Sequence, residues 1–286
     1  MKSTTKIWLG VGLFVTGTAA ALPQGTAPAA ANVAPHDRDL RAEAVRAPAT
    51  AHWILAQHTM PAGGEAGEAA VPADLPPDFQ FALTLALIRG HLLVGDELVK
   101  AGQWDAAMPH FLHPTEELYS GIKDKVADYN TQPFDGALLK LADAVKQKSS
   151  ADYGTALQPV MDALAAGDTG LKAKEKDWPS FVMATAIMAL KAATSEYEEA
   201  IVKGRIAKPV EYQDSRGFVW QAERMIDGVA SELGRKDANA LKTVQSRFAQ
   251  LKKVWPAAVP PKVPVKRAAA VAADVAAIQK ASAKLM

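Results

Sequence analysis

The chain has 286 residues, a formal net charge of +1 and no cysteine. That length suffices for one or two helical domains with a real core. The near-neutral charge gives no electrostatic case for a nucleic-acid partner, and the lack of thiols excludes disulfides, thiolate metal sites and cysteine nucleophiles.

The chain opens with Lys2 and Lys6 around the start of an apolar run, IWLGVGLFVT at 7–16. This run is too short to span a bilayer, and small residues follow it. The pattern predicts a signal peptide over 1–21, with Ala31 as a later cleavage point. The mature protein is then expected in a bacterial periplasm, where an exported chain without disulfides is ordinary, and not embedded in a membrane. Residues 22–77 are rich in Ala, Pro and Gly and read as a leader without a packed core of its own.

Regular structure is expected from Asp78, a good helix N-cap before FQFALTLALIRGHLLV at 79–94. That segment is apolar nearly all round, the mark of a helix buried on most faces. Gly102 is the natural helix-ending turn. His91 and His113 stand equally far from it on either side. At about 1.5 Å per helical residue, both lie roughly 15 Å from the turn, so antiparallel arms bring them to one height. The second arm is interrupted by Pro109 and Pro114. Pro114 disfavours the helical region at His113, which predicts a short helix over 103–112, a break at His113 and a new helix opened by Pro114, Thr115, Glu116 and Glu117.

Beyond the hairpin the periodicity stays helical. Helices are expected near 134–148 and 152–166. Gly167, Asp168 and Gly170 then read as a break, with a loop over 167–177. Further helices are expected near 179–203, 209–233, 237–254 and 267–284, and PAAVPPKVPV at 256–265 reads as extended. No alternating strand pattern occurs. The fold class is all-α with antiparallel bundle packing, either one elongated bundle or two packed halves, 78–166 and 178–286.

The hairpin concentrates chemistry. It carries His91, His110 and His113, with Asp96, Glu97, Glu116 and Glu117 among them. A buried imidazole needs hydrogen-bond partners or a metal. Two readings of His91 stay open: a core histidine bonded to a nearby acid, or a metal ligand. The metal reading groups His91, His113, Glu116 and His110 around a divalent ion, iron being one candidate, since nitrogen and oxygen donors suit iron, manganese or zinc.

Three resemblances to known families bear on this. Gly95, Gly102, Ala107 and Phe111 fall at the spacing of one tetratricopeptide unit, which implies hairpin packing and an alternative role as an interaction scaffold. His113-Pro-Thr-Glu116 resembles the His-x-x-Glu pattern of imelysin-like periplasmic proteins, although Phe111 replaces the usual glycine; the resemblance implies His113 and Glu116 as metal ligands. Residues 196–218 resemble the periplasmic helical segment of bacterial iron permeases. That likeness rests on Tyr197, the Val202–Ile206 turn and Glu211-Tyr212-Gln213-Asp214, and it places Asp214 where an acid is expected. The implied function is an iron-uptake or metal-binding accessory whose partners are a metal ion and a membrane permease or another periplasmic component. His-Glu-x-x-His, Gly-x-Ser-x-Gly and paired Glu-x-x-His are absent, so no enzyme class is indicated.

Overall fold

The structure is a computed structural model and describes residues 71–286, which all belong to one compact unit, Pro48–Met286. The expected signal peptide and its cleavage points, with most of the leader, lie outside the described residues.

Helix α1 spans Pro77–Lys100 and is buried on almost every face, as its apolar sequence requires. Asp78 sits in its first turn, not at the N-cap, and accepts a hydrogen bond from the Tyr129 hydroxyl at 2.6 Å. Gly102 ends the arm with φ +73°. The Gly102 and Gln103 amides donate back to Val99 and Leu98, closing a glycine-terminated helix end.

The second arm is a chain of short turns: α2 (Trp104–Ala107), α3 (Pro109–His113), a π-helical turn (Pro114–Leu118) and a 3-10 turn (Tyr119–Gly121). The expected break at His113 does not occur. His113 keeps helical angles (φ −50°, ψ −43°), and the helix widens into the π turn, with the Tyr119 amide donating to the Pro114 carbonyl. Proline has no N–H to give to the turn behind it. The wider turn carries the backbone over that gap.

Helices α4 (Asp135–Lys146) and α5 (Ser150–Lys174) follow. The loop expected over 167–177 is therefore helix as far as Lys174. Gly167 and Gly170 act as points of close approach: a Cβ on Gly170 would come within 2.0 Å of the Tyr129 carbonyl oxygen, and one on Gly167 within 2.7 Å of Leu85. Glycine at these positions reports a tight crossing, which a breaker reading of the sequence misses.

Helix α6 (Trp178–Glu199) leads into a miniature antiparallel ribbon, β1 (Ile201–Val202) and β2 (Arg205–Ile206). Lys203 and Gly204 both have positive φ, the signature of a two-residue hairpin turn. Helix α7 (Pro209–Gly228) returns alongside α6. Helix α8 (Ala230–Leu251) is bent at Asp237, whose φ of −156° is non-helical. The Asp237 carboxylate accepts from the Ala240 amide at 2.9 Å, so Asp237 caps the second part of α8. After an extended stretch, α9 (Ala268–Ser282) packs on α6 and α8.

The class is all-α, and helices α6 to α9 form an antiparallel bundle. One apolar core runs from Leu75 to Leu285, joining the hairpin side to this bundle. The join is closest where α1 crosses α7. A Cβ on Gly217 would lie 2.1 Å from the Gly90 carbonyl oxygen, and one on Gly90 would lie 2.4 Å from the Phe218 ring. Gly217→Ala should therefore force the helices apart and cost about 1–3 kcal/mol, the range of core overpacking. Thermal unfolding checks this, and an unchanged melting temperature would contradict so close a crossing.

Candidate functional site

The crossing of α1 and α7 sets the site. His91 follows Gly90, and Asp214 lies just under one turn before Gly217, so the close approach places an imidazole against a carboxylate. A second glycine does the same for the hairpin arm. A Cβ on Gly95 would meet Phe111 at 2.6 Å and His110 at 3.2 Å, so α3 can press onto α1 only because Gly95 has no side chain.

Asp214 is the centre. Its Oδ1 lies 2.7 Å from His91 Nδ1 and 2.7 Å from His110 Nδ1. Its Oδ2 lies 3.6 Å from His113 Nδ1. The rings of His91 and His113 meet edge to face with centroids 5.3 Å apart, and Phe218 closes another side of His91 at 5.0 Å. His91 and His110 are fully buried and Asp214 is 1% exposed, whereas the His113 side chain is 19% exposed. His113 is thus the member of the cluster that meets solvent.

Burial alone would push the Asp214 carboxyl up. The neighbouring His91 and His110, the hydrogen bond from His110 and the nearby His113 more than offset this and hold it well below the usual carboxylate range. Asp214 is a buried carboxylate, kept ionised by imidazoles.

His110 carries further information. Its Nε2 lies 2.9 Å from Gln213 Oε1 while its Nδ1 faces Asp214. If Nε2–H donates to that carbonyl oxygen, Nδ1 has two options. It can carry a second proton, giving an imidazolium, or it can present a lone pair to a cation held with Asp214. The second is the usual arrangement of a metal-bound histidine, whose remote N–H is fixed by a carbonyl or carboxylate. With the amide of Gln213 turned over, a neutral hydrogen-bonded network results instead.

The donor set fits a divalent cation. Among the described residues, His91, His110 and Asp214 each offer a ligand atom, all within 4.8 Å of one another. Imidazole and carboxylate donors suit iron, manganese and zinc. Of the residues singled out in the sequence, His91, His110 and His113 are brought together. Glu116 is not: it lies on the π turn and is exposed, and the carboxylate of the group comes from Asp214, far along the chain. Gln213 was visible in the sequence only as part of the 211–214 run. Arg216, two residues past Asp214, ties the same helices: its guanidinium meets both Glu97 oxygens at 2.9 and 3.0 Å and donates to the Trp255 carbonyl at 2.6 Å.

The class defined by fold and site is an all-α bundle with a buried histidine–carboxylate cluster where α1 and α3 meet α7. Residues 172–286 match the family model of the iron permease-associated 4-helix bundle domain. That segment contains α6 to α9, and so Asp214 and Gln213; the histidines come from the preceding hairpin. The match links this part of the chain with iron permeases and hence with iron uptake. No curated protein and no solved structure matches the chain. Among the described residues, no helix is long and apolar enough to cross a membrane.

Proposed function

We propose that this is an exported accessory protein of iron uptake, working in the periplasm beside a membrane permease, and that it holds a divalent metal ion, iron being the leading candidate, at His91, His110 and Asp214. The observation that carries the reading is the convergence of two imidazole nitrogens on one ionised, fully buried carboxylate oxygen. The iron permease-associated match over 172–286 supports the choice of iron. His113, partly exposed beside Oδ2, is placed to receive an ion from solvent or to complete its ligand set. A second reading rests on the same distances. At 2.7 Å the His110 contact is also an ordinary hydrogen bond, and with the His91 ion-pair contact the cluster then acts as a polar lock between α1, α3 and α7.

Metal-linked melting separates the two. A ligand at a hundredfold excess over its Kd stabilises by roughly 2.7 kcal/mol. Ferrous iron, manganese or zinc should raise the melting temperature of the wild type. The rise should be lost in His91→Ala and reduced in His113→Ala, while Glu116→Gln should keep it. If no divalent ion shifts the wild-type melt, the cluster is a structural lock and the metal reading fails.

A further inference from the structure

A separate cavity of about 520 Å³ opens between α1, α5, α6 and α7. None of the histidine–aspartate cluster lines it. Its size falls within the range of small-molecule sites. Ala82, Ala86, Leu157, Met161, Phe181 and Val182 give it mainly apolar walls.

Four charged groups touch it, and most are already neutralised. Arg89 bonds both oxygens of Asp168, at 3.2 and 2.7 Å. Asp96 accepts from Lys100 at 2.6 Å and from the Tyr153 hydroxyl at 3.0 Å. Two polar groups remain. Gln221 lines the cavity at 6% exposure, and its side-chain amide has no hydrogen-bond partner among the described residues. Arg224 lines it as well, is exposed, and has no ion pair among the described residues. The two stand three positions apart on α7, hence on one helix face.

An amide on the cavity wall that makes no hydrogen bond within the protein has its donor and acceptor open to a ligand. An unpaired guanidinium on the same face adds positive charge and forked donors. We infer that this cavity binds a small molecule with an apolar body and a single carboxylate, the body lying among the aliphatic and aromatic walls. The carboxylate accepts a hydrogen bond from Gln221 Nε2–H and pairs with Arg224. An alcohol of equal length lacks the charge, and a cationic amphiphile meets no unpaired anion.

The test is calorimetric titration of the full chain with decanoate, decanol and decyltrimethylammonium, each below its micelle concentration. Decanoate should bind one per chain, about tenfold more tightly than decanol, the ratio expected from one hydrogen bond to a charged group. Arg224→Gln should remove that preference and leave decanol binding unchanged. Gln221→Leu should weaken decanoate binding without lowering the melting temperature, because the amide it removes has no protein partner. Equal affinities for decanoate and decanol, tighter binding of the cationic amphiphile, or no binding of any probe would overturn the assignment. Arg224 is exposed, so its substitution leaves folding intact and the preference remains readable.

Discussion

Asp214→Asn should abolish metal-linked stabilisation and weaken any divalent ion by more than the roughly 10–100-fold that loss of an outer-shell partner costs. The Asp214 carboxylate is in direct contact with both buried rings, His91 and His110. An amide of the same shape keeps an acceptor for one imidazole and removes the charge that favours a cation. Asp214→Ala goes further, leaving two fully buried imidazoles without their shared acceptor. Removing one partner of a buried pair costs about 3–5 kcal/mol, so this variant should unfold at a clearly lower urea concentration. The pH dependence has a definite sign. Asp214 is held below its ordinary value of 3.8 in the folded chain, so its contribution to stability is fully present above that value. It is lost as pH falls below 3.8 and through the lower folded value. Acid unfolding of Asp214→Asn should accordingly be flatter in that range than that of the wild type. Metal binding should weaken as pH falls, because an imidazole must be neutral to offer its lone pair to the ion.

Arg216→Met should destabilise the fold by about 2–3 kcal/mol, the cost of losing hydrogen bonds to charged and buried partners. Three contacts go at once. They are the fork to Glu97, the bond to the carbonyl of the fully buried Trp255, and the stacking of the guanidinium 3.9 Å over the Trp220 ring. The Glu97 side chain is 44% exposed and recovers water when the pair is broken, so the orphaned Trp255 carbonyl accounts for most of the loss. Arg216→Lys should rescue little, because an ammonium cannot form the planar fork. Urea unfolding midpoints measure this, and a change within about 0.5 kcal/mol would place Arg216 among ordinary surface residues. Since Glu97 lies on α1 and Arg216 on α7, the same variant should also loosen the His91–Asp214 approach.

Much of this architecture is readable in the sequence because helical period and turn chemistry are local. Gly102 with positive φ ends α1, and the equal spacing of His91 and His113 about it brings their rings together. Local rules fail where tertiary contact decides. Gly167 and Gly170 look like breakers but are helical residues at a tight crossing. Pro114 forbids an ordinary helical bond, yet the chain answers with a π turn and keeps His113 helical. Glu116 is one helical turn from His113 in sequence, and the widened turn leaves it in solvent while Asp214 occupies the carboxylate position. That substitution of roles depends on Gly90 and Gly217 meeting across α1 and α7, a long-range pairing that spacing within one segment does not encode. The signal available was a glycine inside each of two otherwise uninterrupted helices, one directly before His91 and one shortly after Asp214.

The most direct test of the account is anomalous diffraction from crystals of the protein grown with ferrous iron or zinc. A single peak should lie between His91 Nδ1, His110 Nδ1 and Asp214 Oδ1, at about 2.0–2.2 Å from each when the ion is zinc. An empty cluster with the 2.7 Å contacts intact, or a peak at Glu116 on the exposed π turn, would contradict it.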